Sequence, residues 1–507
     1  MKRLKTFVPL LLLLCLWAPV QAQDLASFEK RVTVKKLPNG LTVIFCRRPD
    51  APVFSFTTFV DSGSSQDPLG KTGLAHMMEH MAFKGFDTVG TKNIAAEKAA
   101  LARVETAYAA YDAERQKPGG PDKNKLAALE KTWKDAIAEA DKFVKVNEFG
   151  DIIERQGGVG LNASTDYDET VYVYSMPANR VELWAFLESN RFLHPVMREF
   201  YKERDVVIEE RRMRTDSSPF GRLFEQFNSM AFDANPYHRP TIGYMSDLQH
   251  FSATDALTFF KQNYVPSNLT VALVGDVDPA RDFPIVEKYF GRIPAGHPPE
   301  TYESTQPPQN SERSVLLKDP SQPVYLEGYQ RPSYRDPDDA VYDAITDLLS
   351  SGRTSRLYRS LVRDKKIALQ SGGFSGWPGT KYPHLFIFYA IPLPGHANKE
   401  VADAIHVEID RLRSEDISDD ELKMVKTRIR ADLIRSLKDN SGLANMLAEA
   451  QSRYGDWREL FYSIERVDKV TKADIRRVAN AVFVDTNRTV GTIETTKPAT
   501  AGKGGQQ

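Results

Sequence analysis

Two stretches of this chain repeat each other at a constant separation of 219 positions. Phe251-Ser-Ala-Thr-Asp255 through Asn268-Leu-Thr-Val271 aligns without a gap on Val470-Thr-Lys-Ala-Asp474 through Asn487-Arg-Thr-Val490. Each reads as a helix, a short turn and a β-rich run, which predicts two related α/β halves in tandem. At 507 residues the length allows two to four domains, and the repeat favours two. Between the halves lies a Pro-rich stretch, 294–323, where proline interrupts both helix and sheet hydrogen bonding and a linker is expected. The expected fold class is therefore α+β, with halves at 30–293 and 324–495 and a disordered tail, 496–507, rich in Thr, Lys, Gly and Gln.

The first half carries Gly73-Leu-Ala-His76-Met-Met-Glu79-His80-Met-Ala-Phe-Lys-Gly85. On a helix, residues four apart stack one turn above each other, so His76 and His80 can aim ring nitrogens at one Zn²⁺. Glu79 sits beside them, able to reach a water on the metal without binding the metal itself. The order is the inverted HxxEH. With 9 His in the chain, chance matches to this pattern are expected on the order of 0.01 times, which disfavours two ordinary polar positions.

A hydrolytic zinc needs three protein ligands and one open position, so another helix must face the first. In Phe200-Tyr-Lys-Glu203-Arg-Asp-Val-Val-Ile-Glu209-Glu210-Arg-Arg, Glu203 and Glu210 are two turns apart and share a face, while Glu209 points elsewhere. Val206 and Val207 are expected to anchor that side to the core. By composition alone the segment reads equally as a solvated charged helix.

Taken together, these residues resemble the pitrilysin/insulinase (M16) metallopeptidases, in particular the two-domain branch that includes mitochondrial processing peptidase and bacterial M16B peptidases. The matching segments are the GLAHxxEHxxFKG block, Gly160-Leu-Asn-Ala-Ser-Thr165 with Thr170-Val-Tyr-Val-Tyr174, and the ERDVVIEE run at 203–210. The resemblance implies a LuxS/MPP-like metallohydrolase fold and one Zn²⁺ per chain, held by His76, His80 and Glu210. It implies Glu79 as general base, Glu203 as a supporting acid, and Asn162 and Ala163 on an exposed strand edge that pairs with a peptide or unfolded substrate. A catalytically silent M16-like scaffold or partner subunit is the alternative, and a zinc-storage chain a third reading. The intact His76, Glu79, His80 and Glu210 argue against both.

The chain departs from the family pattern between His80 and Glu210, where residues 93–144 are Ala-, Glu- and Lys-rich. Leu101, Val104, Tyr108 and Tyr111 form one apolar stripe and Leu126, Leu129, Trp133, Ile137 and Ala140 another, separated by Pro118-Gly-Gly-Pro121. These predict an antiparallel helical hairpin inserted in the first half, read as a solvated strut, with gating of the chamber or docking of a partner as the alternative role. In the second half, Asp339–Leu349 is the counterpart of the metal helix and has no His. Members of the family use an Arg and a Tyr from a C-terminal half beside the reacting carbonyl. No such pair is matched here, so a second subunit, identical or related, is expected to complete the site.

Met1-Lys-Arg-Leu-Lys, an apolar run from Phe7 to Trp17 and Val20-Gln-Ala22 read as a signal peptide (1–22) cleaved after Ala22. Export, to the periplasm, follows. Only Cys46 remains in the mature chain, so no internal disulfide is expected. No later stretch is apolar enough to span a membrane, and a net charge of −1 without a basic stripe argues against nucleic acid as partner.

Overall fold

The computed structural model describes residues 24–296 and 305–496. The expected signal peptide, residues 297–304 of the expected linker and all but the first residue of the expected tail lie outside the described residues.

Two sheets share one plan. The first contains β1 (Val32–Lys36), β2 (Thr42–Arg47), β3 (Val53–Val60), β4 (Val159–Thr165), β5 (Thr170–Pro177) and β6 (Leu269–Gly275), in the order β1-β2-β6-β3-β5-β4. The second contains β7 (Arg313–Asp319), β8 (Val324–Arg331), β9 (Ala368–Trp377), β10 (His384–Pro392) and β11 (Arg488–Thr495), in the order β7-β11-β8-β10-β9. Without β1 the first order maps strand for strand onto the second. Each sheet has one parallel pair, β2 with β6 and β7 with β11, and the other neighbours are antiparallel. The repeated sequence ends in β6 and β11, the parallel partners, so the α+β reading in two related halves stands.

The second half begins earlier than expected. Arg313–Asp319 lies inside the Pro-rich stretch yet forms β7, because residues 309–319 contain no proline and place Val315 and Leu317 on one face against Leu223, Val324 and Ile493. A strand needs only a short proline-free alternation.

Each half lends a helix to the other. Helix Pro219–Ala231 leaves the first half and lies on the second sheet, where Phe227 fills space that Gly328 and Gly491 leave open; a Cβ on either would stand 2.9–3.0 Å from its ring. Helix Asn440–Tyr454 crosses the other way, burying Leu443, Ala444, Leu447 and Ala448 against Ile44, Cys46, Phe59, Ala272 and Val274 of the first sheet. The polar seam is also reciprocal. Asp168 accepts the backbone N–H groups of Thr380 (2.7 Å) and Lys381 (2.9 Å), Lys381 pairs with Asp61 (2.9 Å), and Arg453 pairs with Glu169 (2.7 Å). Apolar burial on both sheet faces makes the two halves one packing unit.

The insert forms helices Ile94–Arg115 and Lys123–Asp141, packed antiparallel. It does not stand free as a strut. Tyr108 and Trp133 are buried in an aromatic cluster with Tyr201, Arg204 donates to the Tyr108 hydroxyl (2.8 Å), and the Tyr201 hydroxyl donates to Glu105 (2.6 Å). The hairpin thus buttresses helix Phe200–Arg211. No helix of the described residues is long and apolar enough to cross a membrane.

Candidate metal centre

Helix Leu74–Met81 starts at Gly73 with φ +96°, a conformation an L side chain resists, and a Cβ there would stand 2.8 Å from the Ile242 carbonyl. The first turn is held by a buried carboxylate: Asp67 accepts the N–H groups of Gly73 (2.7 Å) and Ala75 (2.9 Å). Burial pushes the Asp67 carboxyl up to about 7, against the opposing pull of those two donors. Sequence reading missed Asp67, although an acidic residue six before the helix start is the available signal.

His76, His80 and Glu210 bring one ligand atom each to within 4.8 Å of one another. Glu210 Oε2 lies 3.5 Å from His80 Nε2 and 3.8 Å from His76 Nε2. Ligands about 2.0–2.1 Å from a tetrahedral zinc stand about 3.3–3.5 Å apart, so the two Glu210–histidine separations lie within a few tenths of an ångström of what zinc requires. Arg214 takes the other Glu210 oxygen at 2.9 Å, which leaves Oε2 for the histidines. His80 Nδ1 lies 3.4 Å from Glu203 Oε2, so Glu203 fixes the ring and its Nε2 lone pair. His76 Nδ1 is buried with no hydrogen-bond partner.

Burial, with help from His80 and Arg214, holds His76 down to about 3, so this imidazole is neutral and able to ligate. Burial would also lower His80, but the Glu203 hydrogen bond and the charges of Glu210 and Glu79 outweigh it and raise this group. Burial raises Glu79, with a hydrogen bond from Thr165 and the charge of His80 opposing. Glu203 is lowered: burial works against this, and hydrogen bonds from His80 and Lys84 prevail.

Lys84, unassigned in the sequence reading, stands between Glu203 and Glu199. It keeps Glu203 charged and in place. Lys84→Met is expected to weaken zinc binding about 10- to 100-fold, with Lys84→Arg restoring most of it. Competition against a chelating dye measures this, and an affinity within twofold of wild type would defeat it.

The centre opens into a cavity of about 840 Å³ whose lining includes His76, Glu79, His80, Asn162, Ala163 and Glu210. Asn162 and Ala163 lie on β4, the edge strand of the first sheet. Glu209 corrects the expectation that it points elsewhere: it is exposed and paired with Arg212, yet it too lines the cavity. Val206 corrects the expectation of a core anchor: Val207 is fully buried, whereas Val206 is half exposed and lines the cavity. It lies three residues after Glu203 and four before Glu210, so it shares their face, and that face is the cavity. Among the described residues, none of the second half lines this cavity. At the corresponding helix pair of the second half, Arg428 clasps Asp347 (2.6 Å), whereas the first half has the candidate metal set.

Two family profiles match the chain: Insulinase (Peptidase family M16) over residues 42–114 and Peptidase M16 inactive domain over residues 250–429. The zinc protease PqqE of Helicobacter pylori is 29% identical over 488 residues, 94% of this chain and 95% of that protein. The mitochondrial-processing peptidase subunit beta of Saccharomyces cerevisiae is 23% identical, covering 88% of this chain and 87% of its own. Among solved structures, a protease from Helicobacter pylori aligns with a TM-score of 0.76 at 27% identity, over 91% of this chain and 99% of that one.

Proposed function

This chain belongs to the M16 peptidase family, with an insulinase-type first half and an M16 inactive-domain second half, and from that premise we propose that it is an exported, zinc-dependent endopeptidase acting on extended peptides or unfolded segments. The observation that carries the reading is the convergence of His76, His80 and Glu210 beside a carboxylate, Glu79, that faces the same cavity and is not one of the three. A zinc held by His76, His80 and Glu210 would supply Lewis acidity, lowering the pKa of a water towards about 7 and polarising a scissile carbonyl. Glu79, held by Thr165, accepts the proton and returns it to the leaving amine. Glu203 and Lys84 keep His80 oriented. A silent scaffold or a zinc store has no use for Glu79 in this position.

Asn162 and Ala163 on the β4 edge offer backbone groups to an extended substrate, which would join the sheet as a further strand. Each such hydrogen bond is worth about 0.5–1.5 kcal/mol. N-methylating one substrate amide that faces β4 is therefore expected to raise KM about 2- to 12-fold, whereas methylating its outward-facing neighbour leaves KM unchanged. Equal effects at both positions would remove the strand-addition role.

The second half contributes nothing to the cavity lining, which supports completion of the site by a second M16 chain, identical or related. The Met1–Ala22 leader supports export to the periplasm. The test is zinc content together with cleavage of quenched fluorescent peptides. One zinc per chain, with cleavage abolished by chelation and restored by zinc, upholds the reading; cleavage by zinc-free protein overturns it. Full activity from a strict monomer would remove the partner subunit alone.

A further inference from the structure

A second cavity, of about 250 Å³, lies between the insert and the helix that carries Glu203 and Glu210. Its walls are apolar: Leu101 and Ile137 come from the insert, Val196, Met197 and Phe200 from the segment entering helix Phe200–Arg211, and Leu257 from helix Ala253–Asn263. An apolar cavity of about 150 Å³ is enough to take up benzene, so this one has room for a body of about eight carbons.

The charged groups at its rim each have a partner, with one exception. Glu105 accepts from the Tyr201 hydroxyl (2.6 Å) and from the Thr254 hydroxyl (2.7 Å) and N–H (3.0 Å). Asp141 pairs with Lys202 (2.8 Å), and Glu199 pairs with Lys84 (3.3 Å). Lys98 also lines the cavity and is exposed, and its ammonium has no ion pair or hydrogen bond among the described residues. An apolar pocket with one uncommitted cation at its rim matches a ligand with an apolar body and a single negative end.

We infer that this cavity is a binding site for a small amphipathic monocarboxylate, its hydrocarbon body among Leu101, Ile137 and Leu257 and its carboxylate against Lys98. The site is walled by the insert and shares only Lys202 with the lining of the metal cavity, so it does not depend on hydrolysis.

The probe is octanoate, with octylammonium as the same body of opposite charge, titrated into the mature chain by calorimetry. Octanoate is expected to bind once per chain and octylammonium more weakly. Lys98 is exposed, so its ion pair contributes modestly, and Lys98→Glu is expected to weaken octanoate at least twofold to fivefold and to reverse the preference. Leu101→Trp, filling the cavity, is expected to abolish binding of both, and Ile137→Trp serves if that variant does not fold. No saturable octanoate binding, binding indifferent to a folded tryptophan variant, or a charge preference indifferent to Lys98→Glu would each overturn the inference. The readout needs neither zinc nor cleavage, so its failure is distinct from failure of the peptidase reading.

Discussion

Glu79→Gln is expected to keep one zinc per chain and to lose about 10²- to 10⁴-fold in kcat/KM. The amide has the shape of the carboxylate and can still meet Thr165, but it cannot take up a proton. The metal set is untouched, since His76, His80 and Glu210 bring their donors together without Glu79. The same side chain acts twice, as acceptor from the attacking water and as donor to the leaving amine, which puts the loss towards the upper end of that range. Zinc analysis, thermal stability and peptide cleavage of wild type and variant measured side by side decide it. Activity within tenfold of wild type would mean that another group handles the proton. Zinc lost together with activity would mean that Glu79 belongs to the ligand set.

Arg198→Met is expected to cost about 3–5 kcal/mol of stability, a large share of what a folded domain commonly has. Arg198 and Glu97 are almost completely buried, at 1% and 0% exposure, and are joined at 2.8 Å. The guanidinium also donates to the carbonyls of Lys84 (2.6 Å), Val89 (2.6 Å) and Phe86 (2.9 Å), closing the loop that leads from the metal helix into the insert. Methionine fills much of the same space but strands Glu97 as a buried, unpaired charge. Glu97→Leu in the same chain removes that charge, so the double variant is expected to recover a substantial part of the loss. Urea midpoints of the single and double variants measure both. A loss below about 1 kcal/mol in the single variant would show that water reaches Glu97 and screens it.

The chemistry of the centre was legible because helical spacing ties sequence to direction. His76 and His80 four apart, and Glu203 and Glu210 seven apart, can each lie on one face only. The same periodicity misled at Val206, where an apolar residue on the functional face lines a cavity and not the core. Lys84, Arg214, Asp67 and Thr165 were not legible as parts of the site. Arg214 meets Glu210 at the local i,i+4 spacing, but nothing in that spacing says which carboxylate oxygen it takes; the other three act through contacts with another element or loop position that no local pattern records. Asp67 reaches the helix six residues ahead, and Thr165 arrives on β4 from beyond the insert.

The sequence by itself determined that there are two related halves, that a helical hairpin interrupts the first, and which helix faces carry imidazole and carboxylate. Those features rest on periodicity, proline and glycine placement and residue spacing, all local properties of the chain. Only the tertiary structure decided that each sheet is covered by a helix of the other half, that β7 lies inside the Pro-rich stretch, and that the insert braces the carboxylate helix. It also decided that Glu210 meets His76 and His80 from 130 positions away, counted from His80. These depend on which apolar faces find each other, and burial is non-directional: it rewards any face that excludes water and leaves the choice of partner to the packing of the whole molecule.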